Sequence, residues 1–110
     1  MRDWWQQMEE RGTRRDLPMK PEVVGYELNR FLNDDAIITC DSGTIATWAA
    51  RQIRIRANQQ FSLSGNLATM ANGFPYAIAA QLAYPDRQVV AFVGDGGFSM
   101  LMAELSTCVK

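Results

Sequence analysis

An α/β fold, a parallel sheet with flanking helices, is predicted by three observations. Short apolar runs alternate along the chain with segments whose apolar residues recur at helical spacing. Two of those runs, 36–40 and 88–93, are each followed at once by a polar turn carrying aspartate and glycine. No internal repeat or low-complexity tract points elsewhere.

The elements follow in order. Residues 1–20 are polar and charged, broken by Gly12 and Pro18, and read as a linker or the end of a preceding domain; Trp4, Trp5 and Met8 could dock a short helix. From Pro21, which suits a first helical turn, Val24, Leu28, Phe31 and Leu32 give a helix an apolar face. Asn33-Asp34-Asp35 ends it. Ala36-Ile37-Ile38-Thr39-Cys40 is short, apolar and β-branched, a buried strand. The turn Asp41-Ser42-Gly43-Thr44 opens a helix with Ile45, Trp48, Ala49 and Ile53 on its face. Arg51, Arg54 and Arg56 gather where cations complement that helix's dipole. Gln60-Phe61-Ser62-Leu63 is a weaker strand, and the alanines at 77, 79, 80 and 83 would let a helix over 75–84 lie close to a sheet. Gln88-Val89-Val90-Ala91-Phe92-Val93 is the clearest strand. Gly94-Asp95-Gly96-Gly97 then enters a helix faced by Phe98, Leu101, Met102 and Leu105. In such a sheet ligands sit at the carboxyl ends of the strands, where both polar turns fall.

Composition narrows the chemistry. The 110 residues are 47% apolar and 21% charged, ordinary for a globular domain. A net charge of −1 supplies no basic field for nucleic acid or acidic membranes. No apolar run approaches the roughly 20 residues of a membrane span. The start lacks the apolar stretch of a secretory signal, so a cytoplasmic setting is expected. Cys40 and Cys108 lie in apolar segments and read as buried free thiols. With no histidine, neither Ser-His-Asp nor Cys-His catalysis can be assembled from this chain.

Gly94-Asp95-Gly96-Gly97 carries the most chemistry. Glycines let a backbone approach a ligand and adopt positive φ, and a helix start offers free N–H groups to a phosphate. Asp95 would repel a phosphate alone, so it asks for a cation, and magnesium is held by one or two carboxylates plus phosphate oxygens. From this turn alone a diphosphate–metal site and a plain capped strand-to-helix turn are both open. A P-loop is excluded because no Lys-Ser or Lys-Thr pair follows the glycines, and Ser99 spoils the dinucleotide fingerprint.

Several stretches in register then resemble one family. Val90-Ala91-Phe92-Val93-Gly94-Asp95-Gly96-Gly97-Phe98-Ser99-Met100 is similar to the G-D-G signature of the thiamine diphosphate enzymes. Residues 65–80, from Gly65-Asn66-Leu67 through Met70 and Gly73-Phe74-Pro75 to Ala80, resemble the family's L-G-x-M-G-x-G-L-P-x-A-I-G-A segment. The Asp41-x-Gly43 turn, the 83–90 run and Glu104-Leu105 with Thr107 match in order. The resemblance spans 21–110 and is nearest the pyruvate oxidase, acetolactate synthase and benzoylformate decarboxylase branch.

That resemblance implies a thiamine diphosphate-binding fold, with 21–110 as the N-terminal part of the diphosphate- and metal-binding domain, incomplete at its C-terminus. It implies thiamine diphosphate and Mg2+ as cofactors. Asp95 would ligate the metal, and Gly94, Gly96 and Gly97 would line the diphosphate. Ser42, Gly43, Thr44 and Ile45 would contact it from the other turn. Met70, which by residue type alone reads as core, would wedge beneath the cofactor, and the Ala68 carbonyl would face its aminopyrimidine. Asp41 reads as a cap of the following helix. The family's usual glycines at 68, 71 and 79 are alanines here. No catalytic side chain falls in the chain: the closing asparagine and the activating glutamate belong outside it, the latter on the pyrimidine-binding domain of a partner subunit in a homo-oligomer. The intact protein would act on a 2-keto acid such as pyruvate, decarboxylating it with oxidation or acyl transfer, while this segment alone would be inactive. Two other readings stand beside it: a catalytically silent α/β fragment or interaction module, and a nucleotide-binding α/β domain of another kind.

Overall fold

The computed structural model describes residues 1–109. The elements are α1 (Arg2–Gly12), α2 (Pro21–Leu28), β1 (Ile37–Cys40), α3 (Thr44–Gln52), β2 (Gln60–Ser62), α4 (Gly73–Ala83), β3 (Val89–Phe92), α5 (Asp95–Leu101), a 3₁₀ turn at Met102–Glu104, and α6 (Leu105–Val109). The sheet is parallel with order β2-β1-β3, so the predicted α/β class is what the chain adopts.

Alternation along the strands builds two layers of helix. Ile38, Cys40 and Phe92 pack with Ala49, Ile53 and Leu32 into the main core under α3. The opposite face, with Val89 and Ala91, meets Phe74, Ala77 and Ile78 of α4. All of β1 is buried, as its apolar run predicts. Thr39 is also buried, and its Oγ1 donates to the Gly73 carbonyl at 2.6 Å, which satisfies the hydroxyl and seats the start of α4 on the central strand.

Three readings of helix faces need correction. On α2 the inward residues are Val23 and Gly25, while Val24 is 53% exposed and Phe31 71%. The reason is Gly25: a Cβ there would sit 3.1 Å from Gln52 Cβ, so α2 turns its glycine toward α3. On α4 only Ala77 of the four alanines is buried; Ala79 and Ala83 face outward. On the C-terminal helices Leu101, Met102 and Leu105 are exposed; Phe98 alone packs, edge-on to Phe74 with ring centroids 5.6 Å apart.

Arg56 also serves a different helix from the one expected. Its Nη1 and Nη2 donate to the carbonyls of Asn29 and Leu32 at 3.2 and 2.7 Å, beyond the end of α2 rather than of α3. Arg54 lies over the Trp5 ring, 4.7 Å from its centroid, and helps dock α1, whose Met8 is buried. Residues 2–12 are thus a packed helix against α2 and α3. Of the two free cysteines, Cys40 is buried as expected but Cys108 is exposed. No helix among the described residues is long and apolar enough to cross a membrane.

Candidate functional site

Neighbouring strands β1 and β3 leave the sheet in different directions: β1 runs through α3 to β2 on one side, and β3 was reached by passing over β1. Such a switch point opens a crevice at the carboxyl ends of the strands. Here it is a cleft of about 280 Å³ lined by Asp41, Ser42, Gly43, Thr44, Ile45, Met70, Gly94, Asp95, Gly96 and Gly97. Nine of these ten are residues that the sequence singles out for cofactor or metal; Ala68, the tenth so singled out, does not line it.

The cleft floor is two helix starts. α3 begins after Gly43, at φ 105, and α5 begins after Gly94; neither has a side-chain cap. Their first N–H groups are therefore free for an anion, and the dipoles add to that preference. Gly43 needs its glycine, since φ 105 is strained for any L side chain. The 94–97 turn does not use positive φ: Gly94 stands at φ −82, and Gly43 is the one positive-φ glycine among the described residues. Gly96 would meet nothing within 4 Å if given a Cβ, so its bareness leaves open space on the ligand side. Gly97 is bare for another reason: a Cβ there would lie 1.8 Å from Asp41 Oδ2.

Asp41 does not cap the following helix. It is 2% exposed, and its Oδ1 accepts from Gly73 N at 2.6 Å, at the start of α4. Beside it Cys40 is held neutral, its thiol pushed up to about 11 by burial and secondarily by the Asp41 charge.

Met70 is 54% exposed at the cleft wall, which a core residue would not be. It is presented by a loop whose backbone is left-handed at both Ala68 (φ 49) and Ala71 (φ 64), two of the three positions where the resembling family carries glycine. The loop is fixed at its other end by Ser64, whose carbonyl accepts from Ala68 N at 3.1 Å and whose hydroxyl accepts from Thr69 N at 3.3 Å. Sequence reasoning missed the buried role of Asp41; its signal was the pairing of a strand-end aspartate with glycines at 73 and 97.

Among the described residues no lysine or arginine lines the cleft, and Asp95 stands exposed at its edge. Among the described residues no three Asp, Glu, Cys or His side chains converge as a metal cage. The arrangement offers anion-binding backbone with one free carboxylate beside it.

The profile described as thiamine pyrophosphate enzyme, C-terminal TPP binding domain, matches residues 41–110. A Bacillus subtilis (strain 168) protein described as thiamine pyrophosphate-containing is 46% identical over 110 residues, all of this chain and 19% of its own length. The acetolactate synthase isozyme 3 large subunit of Escherichia coli (strain K12) is 35% identical over 117 aligned residues, covering 100% of this chain and 20% of that protein. A pyruvate oxidase of Lactiplantibacillus plantarum is 40% identical over 93 residues, covering 84% and 15%. The chain thus spans about a fifth or less of the length of the curated relatives it matches.

Proposed function

The chain belongs to the thiamine pyrophosphate enzyme family through its C-terminal cofactor-binding domain, and from that premise we propose that its cleft anchors the diphosphate of thiamine diphosphate together with Mg2+. The single observation carrying this reading is the cleft itself: two uncapped helix starts converge on a space that contains a carboxylate and no basic side chain. A diphosphate there needs a counter-charge, and an exposed carboxylate beside phosphate oxygens is how Mg2+ is usually held. The residues therefore fit the group.

Asp95 holds the metal. Thr44 and Ile45 on one side, and Gly96 and Gly97 on the other, offer backbone N–H groups to the phosphates, with Ser42, Gly43 and Gly94 shaping the turns. Met70 would pack against the cofactor as a soft, adaptable thioether, and the Ala68 carbonyl, outside the cleft lining, would be turned toward its aminopyrimidine. When bound, thiamine diphosphate supplies the nucleophilic carbon and the electron sink for decarboxylating a 2-keto acid such as pyruvate. This chain's part is to bind, orient and neutralise. The intact enzyme, a cytoplasmic homo-oligomer on this reading, adds the pyrimidine-binding domain of a partner subunit and oxidises or transfers the acyl fragment. Residues 21–110 are then the N-terminal part of the diphosphate and metal domain, with 1–20 leading into it.

Thermal denaturation of the chain with thiamine diphosphate and Mg2+, against NAD or ATP, tests the reading. A rise in Tm only with the first pair is expected. An equal rise with ATP would make this another nucleotide-binding domain, and no rise with any would make it a silent fragment.

A further inference from the structure

Two glycines in different helices, 73 and 97, lie against one buried side chain. A Cβ on Gly97 would strike Asp41 Oδ2 at 1.8 Å, and a Cβ on Gly73 would meet Asp41 Oδ1 at 2.9 Å together with Val93 Cγ1 at 2.8 Å. Oδ1 accepts from Gly73 N, while Oδ2 is buried with no hydrogen-bond partner. A buried, half-partnered carboxylate is costly and is retained only where its surroundings favour it. Here the start of α4, an 11-residue helix, faces it with the Gly73 N–H and the positive dipole end.

We propose that Asp41 is the positioning residue of the cleft, its carboxylate holding the 94–97 turn at the distance from the 41–44 turn that a diphosphate touching both requires. The inference rests on the function proposed above. Asp41 ends β1 and starts the first turn; Gly97 sits in the first turn of α5 and is pressed against it. Without the carboxylate the close contact that spaces the start of α5 from the end of β1 is lost, and only more distant packing, such as Phe98 on Phe74, still restrains it. Asp95 and the N–H groups of Gly96 and Gly97 would shift with it, and a small displacement at such a site is enough to weaken binding.

The test is a double-mutant cycle on the full chain with two readouts, stability without ligand and affinity for thiamine diphosphate at saturating Mg2+. Gly97→Ala alone should lower Tm, and the same change in an Asp41→Ala background should cost much less, because the atom it strikes is gone. Asp41→Ala should fold yet bind cofactor about tenfold or more weakly, while the isosteric Asp41→Asn recovers most of the affinity. Asp41→Ser replaces Asp41→Ala in both readouts should the latter not fold. Equal cost of Gly97→Ala in both backgrounds, or parental affinity in the carboxylate-free variant, overturns the proposal. A parent that binds no cofactor overturns the proposed function instead, and the stability cycle, which needs no ligand, still reads the 41–97 coupling.

Discussion

Thr39 and Gly73 are joined by a buried 2.6 Å hydrogen bond that fixes the first turn of α4 to the middle of the central strand. Thr39→Val keeps the shape and removes the donor. It is expected to cost about 1 kcal/mol in urea denaturation, since the Gly73 carbonyl loses a buried partner. A variant as stable as the parent would show that backbone pairing alone seats α4.

Ala68 is exposed and held at φ 49, where an alanine is disfavoured by about 1 kcal/mol or more. Glycine relieves that strain but loosens the unfolded chain, an opposing effect of about 0.4–1 kcal/mol. Ala68→Gly is therefore expected to be neutral to slightly stabilising, and Ala68→Val to be destabilising by more than about 1 kcal/mol. Thermal melts of both variants decide this; a stable valine variant would mean the loop takes an ordinary backbone conformation in solution.

Asp95→Asn should leave the fold intact, because the side chain is exposed at the cleft edge, and should reduce Mg2+-dependent thiamine diphosphate binding by about a hundredfold. Isothermal titration at several Mg2+ concentrations reads it. Unchanged, metal-dependent affinity would leave Asp95 a turn residue only.

The two thiols should separate cleanly. At pH 8 a maleimide is expected to label Cys108, which is exposed, and to spare Cys40, which is buried and protonated up to about 11. The folded value lies above the ordinary 9.0, so the unfolded chain releases the proton first as pH rises. Stability contributed by the neutral thiol is thus complete below about pH 9 and is lost between 9 and about 11. Cys40→Ala should flatten that alkaline limb in urea titrations.

The chain is expected to self-associate as concentration rises. Met100, Met102 and Leu105 are each exposed, and among the described residues β3 is paired only on its β1 side. Sedimentation across a concentration series should show it, and Met102→Lys with Leu105→Lys should suppress it. A parent monomeric at every concentration would refute it.

The sheet and the cleft were legible because strands β1 and β3 are continuous apolar runs and each ends in a polar turn. Helix faces were less so. The spacing of Val24 and Phe31 suits an apolar stripe, yet a single close approach at Gly25 rotates α2 away from it. Periodicity carries no information about where two backbones meet. Asp41 was misread for the same reason: its partners at 73 and 97 are distant in sequence, and nothing local distinguishes it from an ordinary cap. The departures from glycine at 68 and 71 were visible in the sequence, but only the backbone angles reveal that both alanines pay for the positions in strain.

The order β2-β1-β3 gives ligand binding a second meaning. Apart from Met70, the cleft is shared between the turn after β1 and the turn after β3, about fifty residues later, so neither strand's local neighbourhood contains the whole site. An anion that touches both turns can be bound only by molecules in which β3 has already paired with β1. By mass action it draws the population toward that pairing. Occupancy would therefore be recorded in the amide hydrogens of Val89–Phe92, slowing their exchange with solvent while leaving the exposed C-terminal helix as labile as before.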